Sequence, residues 1–115
     1  MTEEQLDAWI AALEDPETKK GSGALKTRDG KMCCLGVLAQ LNGVTQKTGS
    51  ENQVIFDFGE EAPRLRDGRT FSRLTIPEGW MGVPDPGKLA AINDNSDTFV
   101  PVVEWIKMHH SQYID

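Results

Sequence analysis

Apolar residues recur along this chain at intervals that change from segment to segment. Leu6, Trp9, Ile10 and Leu13 fall at i, i+3, i+4 and i+7, which predicts one apolar helix stripe. Thr2 and Gln5 stand where a reciprocal N-terminal cap needs them, Glu3 and Glu4 suit the positive helix end, and Asp15-Pro16 ends the run. A glycine-containing basic stretch follows, Lys19-Lys20-Gly21-Ser22-Gly23. The segments 24–28 and 31–33 then flank Asp29-Gly30, a signal for a two-residue hairpin. Residues 34–41 predict a short apolar helix closed by Asn42-Gly43. Gly36 inside it costs about 1 kcal/mol of helix propensity against Ala, a cost that a close packing contact would explain.

Past that helix, residues 45–53 are polar and read as a loop. Segments 54–58 and 69–76 read as strands, joined by a charged connection over 59–68. Residues 77–86 form an irregular Pro- and Gly-rich loop carrying Trp80, either a plug at the core edge or a stacking residue. Residues 87–93 predict a short helix, and Thr98 caps a last one with Pro101 in its first turn. Together these elements predict one domain over 1–115, of the α+β class. A small antiparallel sheet packs against N-terminal, central short and C-terminal helices. The expected core is Leu6, Trp9, Ile10, Leu13, Cys34, Leu35, Val37, Leu38, Phe99, Val102, Val103 and Ile106.

With 115 residues, 38% of them hydrophobic and 26% charged, the chain has a globular composition with room for one modest core. No apolar run is long enough to cross a membrane, and the start Met1-Thr2-Glu3-Glu4 lacks the apolar region of a signal peptide. Cys33 and Cys34 are adjacent, which fits neither a disulfide framework nor a CxxC motif and leaves a buried core role as the default. A reducing cytoplasm is the expected compartment.

The net charge of −6 argues against a direct reader of nucleic acid, but the charge is uneven. Residues 1–18 carry six acids and no base, whereas 19–31 carry Lys19, Lys20, Lys26, Arg28 and Lys31 against Asp29 alone. A second cationic island holds Arg64, Arg66, Arg69 and Arg73 against Asp67. If the islands converge, they predict a site for a small phosphate-bearing anion. Gly21-Ser22-Gly23 would offer backbone N–H groups, and the lysines and arginines would offer charge. Arg69 and Arg73 share one strand face by parity. The expected ligand contacts are Lys20, Ser22, Arg28, Arg69, Arg73 and Trp80. Solvated loops that balance acidic helices are the plainer reading of the same pattern.

Catalytic signatures are sparse. His109 and His110 are adjacent and fail the i, i+4 spacing of a zinc helix, so they read as a polar helix end. Asn93-Asp94-Asn95-Ser96-Asp97 lacks the Gly of a calcium loop at its sixth position, which is Thr98, and reads as capping and turn chemistry. The final helix begins Thr98-Phe99-Val100-Pro101, without the polar residues of a DNA recognition helix. The expectation is therefore a binding protein with no cofactor and no metal, not an enzyme.

Two segments carry a resemblance. The first is Trp9-Ile10-Ala11-Ala12-Leu13, the basic glycine loop, Gly23-Ala24-Leu25 and Cys33-Cys34-Leu35-Gly36-Val37-Leu38. It resembles the front half of a family of small proteins from tailed bacteriophages and prophages. The second, Leu89-Ala90-Ala91-Ile92-Asn93-Asp94 with Thr98-Phe99 and the helix reaching Trp105-Ile106, resembles that family's tail, departing from it at Pro101. The two segments span about half the chain. The resemblance implies a phage accessory protein working in bacterial cytoplasm, where such proteins often counter host defence. Three functions follow as expectations. One is sequestration of a nucleotide-derived immune signal, with a homo-oligomer allowed because such sites are often shared between subunits. Another is acidic inhibition of a host nuclease, CRISPR or restriction complex. The third is degradation of a signal nucleotide.

Overall fold

The computed structural model describes residues 1–48, 53–57 and 79–115. Helices dominate it. Helix α1 (Glu3–Glu14) starts on the predicted reciprocal cap. There the Gln5 N–H donates to Thr2 Oγ1 at 3.1 Å and the Thr2 N–H to Gln5 Oε1 at 2.8 Å. Leu6, Trp9 and Leu13 are buried along its stripe. Ile10, expected in the core, is only partly buried and packs on its margin.

Helix α2 (Cys34–Leu41) is buried without a break from Cys34 to Ala39. It is a central element rather than a surface helix with one apolar face. Trp9 ties α1 to it, its indole N–H donating to the Cys34 carbonyl at 3.0 Å. Gly36 explains how α2 comes so near the preceding hairpin. A Cβ built there would lie 1.9 Å from the Leu25 carbonyl oxygen, so only glycine allows this approach.

The hairpin has a loop one residue longer than expected. The Gly30 N–H donates to Thr27 O at 3.0 Å and the Thr27 N–H to Lys31 O at 2.8 Å. Arg28, Asp29 and Gly30 therefore make a three-residue loop, with Gly30 at φ +87° in the left-handed position such loops require. Strand β1 (Lys26–Thr27), strand β2 (Thr45–Thr48) and strand β3 (Gln53–Asp57) form an antiparallel sheet in the order β1-β3-β2. Lys26 pairs with Val54, and Thr45 pairs with Asp57.

Residues 45–48, read as loop from sequence, are thus a strand. Thr45, Gln46 and Lys47 are exposed, so this edge strand has no apolar alternation to betray it. The predicted strand at 69–76 lies outside the described residues. The sheet is minor, contributing Phe56 to the core, while Leu25 and Met32 enter it from the hairpin.

Helix α3 (Pro86–Asp94) begins on Asp85, whose carboxylate accepts from the Lys88 N–H at 3.0 Å. Helix α4 (Val100–Met108) starts after Phe99, and Thr98 Oγ1 accepts from the Val100 N–H at 3.3 Å. A single turn, α5 (His110–Tyr113), follows. It is packed rather than frayed. Tyr113 is buried edge-on to Trp9, with ring centroids 6.2 Å apart. Beside it the Met1 amino nitrogen donates to the Tyr113 carbonyl at 2.9 Å. Among the described residues, no helix is long and apolar enough to cross a membrane.

Candidate functional site

Two features converge beside α1 and α4, a clamped basic loop and an open groove. The loop is held from below by the paired residues Asn93 and Asp94 at the end of α3. Asn93 is fully buried. Its Oδ1 accepts from the Cys34 N–H at 3.1 Å, and its Nδ2 donates to Gly21 O at 3.0 Å. One side chain thereby satisfies an orphan amide at the start of α2 and anchors the glycine loop. Asp94 Oδ1 accepts from the Gly23 N–H at 3.3 Å. On the other side, the Gly21 N–H donates to Met32 O at 2.7 Å and the Met32 N–H to Lys19 O at 2.9 Å. Lys20, Met32 and Lys26 therefore lie side by side in short bridges.

This geometry changes the reading of the loop as a phosphate cradle. Two of its amides, on Gly21 and Gly23, are already bonded within the protein, and the partner of Gly23 is a carboxylate. An incoming anion would have to displace an anion that the fold supplies. Although the backbones of Lys20 and Lys26 flank Met32, the ammonium groups of Lys20, Lys26 and Lys31 in the first cationic island are engaged with separate partners. Lys26 Nζ donates to the amide oxygens of Gln40 (2.8 Å) and Gln46 (3.0 Å). Lys31 lies 3.9 Å from the Asp29 carboxylate. Arg28 is exposed at the hairpin tip next to Asp29. The Asp29 carboxyl is held below its ordinary range, chiefly by the Thr27 hydroxyl and also by Lys31. Lys20 keeps the expected neighbour, its Nζ donating to Ser22 Oγ at 3.2 Å. Arg69 and Arg73 lie outside the described residues, and Trp80 opens a 3-10 turn, Trp80–Gly82. Of the six predicted contacts, only Lys20 and Ser22 are brought together by a described bond.

The groove has a volume of about 560 Å³ and runs between the end of α1 and the start of α4. Its floor is apolar, made by Leu13, Phe99 and Val103, and Val100 stands 58% exposed at its edge. Carboxylates line both walls, Glu14 and Asp15 on the α1 side and Asp97 and Glu104 on the α4 side. Two ammonium groups, of Lys20 and Lys107, oppose these four acids. Lys107 is 3.8 Å from Glu14, which ties the two walls together. Asp97 and Glu104 have no ion-pair partner among the described residues. The apolar floor was legible in sequence only as core, because Phe99 and Val103 belong to the stripe that packs α4 inward.

Groups that suggest chemistry elsewhere are structurally engaged. Cys34 is a free thiol, fully buried, and burial together with the neighbouring Cys33 pushes it well above the ordinary thiol range. Such a thiol is a poor nucleophile. The His109 ring stacks on Trp105 at 4.0 Å, and Lys88 Nζ lies 5.1 Å from the Trp105 ring. His110 contacts Glu3 at 3.2 Å. The Asn-Asp-rich turn is a helix end, as its spacing predicts. Asn95 Nδ2 donates to Ala91 O and Ser96 Oγ to Ile92 O, closing the last turn of α3. Among the described residues, no cluster of His, Cys, Asp or Glu could hold a metal ion. Comparison of the chain with protein-family models, curated proteins and solved structures finds no match.

Proposed function

We propose that this protein acts by binding a host defence protein through the α1–α4 groove, as a phage-type accessory protein of the bacterial cytoplasm. The observation that carries this reading is the lining of the groove. Four carboxylates and two ammonium groups surround an apolar floor edged by an exposed Val100. A phosphate-bearing ligand would meet net negative charge there, whereas a basic protein surface would meet its complement. The overall charge of −6 points the same way, since nucleases and their complexes present cationic faces to nucleic acid. The setting comes from the resemblance of the Trp9–Leu13, Cys33–Leu38 and Leu89–Asp94 segments to phage proteins.

Sequestration of a nucleotide-derived signal is the second reading, and one contact favours it. Lys20 lines the groove with its ammonium on Ser22 Oγ. The other cations that this reading calls on, Arg28, Arg69 and Arg73, would have to supply most of the site.

Tagged protein recovered from bacteria with active defence systems separates the two. The first reading expects the wild type to carry a nuclease, CRISPR or restriction subunit that Val100→Arg loses. A small phosphate-bearing molecule in the native mass spectrum, lost with Lys20→Ala, would establish the second reading and overturn the first.

A further inference from the structure

Resting on the reading of the groove as the binding face, we infer that its occupant is an amphipathic helix of the partner. Its apolar stripe is flanked on both sides by lysine or arginine. The groove lies between the last turn of α1 with the segment that follows it and the first turns of α4, and a helix fills a space of this kind with the side chains at i, i+3, i+4 and i+7. Leu13, Phe99 and Val103 form the floor that this stripe would cover, with Val100 extending it toward solvent. The charge pattern selects the flanks. Asp15 lies on one wall, and Asp97 and Glu104 lie on the other. Cations are therefore wanted on both sides of the apolar stripe, as in a basic amphipathic helix. An extended strand turns alternate side chains to opposite faces and cannot match both walls while filling the floor. Asp97 and Glu104 have no ion-pair partner among the described residues, so an incoming cation meets two carboxylates that no described cation holds.

The test uses the full chain and a fluorescent synthetic peptide of about 14 residues, four helical turns. It carries Leu at the stripe positions and Lys on the flanks. A second peptide keeps the stripe and replaces every Lys with Glu. Fluorescence anisotropy is expected to show saturable binding of the lysine peptide, weakening with added salt, and none of the glutamate peptide. Asp97→Asn with Glu104→Gln, both on exposed positions, is expected to weaken the lysine peptide about tenfold while leaving the circular dichroism unchanged. Equal binding of both peptides, or an affinity unmoved by the double substitution, would overturn the inference. Failure of the lysine peptide to bind, while a defence protein still co-purifies in a Val100-dependent way, overturns the basic helix and leaves the groove as the binding face. Failure of both removes the groove reading as well.

Discussion

Replacing Gly36 by Ala sets two effects of opposite sign against each other. Gly36 lies within α2, where Ala gains about 1 kcal/mol of helix propensity. Propensity alone therefore predicts a more stable protein. Packing predicts the reverse. The new Cβ would lie 1.9 Å from Leu25 O and 2.7 Å from Leu25 C, both backbone atoms that no rotamer change can move. Relief needs α2 and the hairpin to separate by about 1.5 Å, measured to ordinary van der Waals contact. Leu25 O also accepts the Cys33 N–H at 3.1 Å, so moving that carbonyl strains the hairpin. Leu35 and Val37 on either side are buried and would lose contacts as the helix lifts. Overpacking of this kind costs about 3 kcal/mol, which outweighs the propensity gain by about 2 kcal/mol. For a chain of this size that lowers the melting midpoint by about 8 °C, read by circular dichroism. Gly87→Ala is the control. Its Cβ would meet only Asp85 Oδ1 at 3.7 Å, an ordinary contact, so its midpoint should hold or rise. A Gly36→Ala midpoint equal to or above wild type would refute the close approach of α2 to the hairpin.

Asn93→Ala leaves the buried Cys34 N–H without its acceptor and Gly21 O without its donor. It should lower the unfolding free energy in urea by about 3 kcal/mol, and a loss below about 1 kcal/mol would contradict the clamp. Tyr113, the chain's single tyrosine, has its hydroxyl pushed up to about 12, mainly by burial. A folded value above the unfolded one of about 10 means that its contribution is complete below pH 10 and fades as pH rises toward 12. Tyrosinate absorbance should thus appear late and together with unfolding, and Tyr113→Phe should unfold over a shallower alkaline range. Cys34 is buried with its thiol pushed up, so a thiol reagent at neutral pH should modify it only as fast as the protein opens. Rapid modification in the native state would place it at the surface.

What the sequence discloses depends on how far each signal acts along the chain. The α1 cap is legible because Thr2 and Gln5 are three residues apart and their bonds are local. Gly36 announces a close approach because no other reason for glycine exists inside a short apolar helix. The partner in that approach, Leu25 O, is fixed only by the fold. Strand β2 is hidden because the exposed Thr45, Gln46 and Lys47 give a hydrophobic pattern nothing to register. Asn95 and Ser96 read correctly as turn chemistry. Asn93 and Asp94 do not: they act on Gly21, Gly23 and Cys34, about 60 to 70 residues away in sequence. That distance is also why Gly21-Ser22-Gly23 reads as an open anion cradle in sequence when two of its amides are engaged. The groove escapes for a different reason. Periodicity marks Phe99 and Val103 as inward-facing, but not that Val100 beside them stands exposed at a groove.

The proposed use of the α1–α4 groove as a binding face can be probed at two exposed positions. A photo-crosslinking residue placed at Val100, 58% exposed at the groove, and separately at Leu41, 50% exposed at the end of α2, tests it most directly in bacteria with active defence systems. Binding through the groove would give an adduct to one host defence protein from position 100 and none from position 41. An adduct from position 41 alone would contradict it.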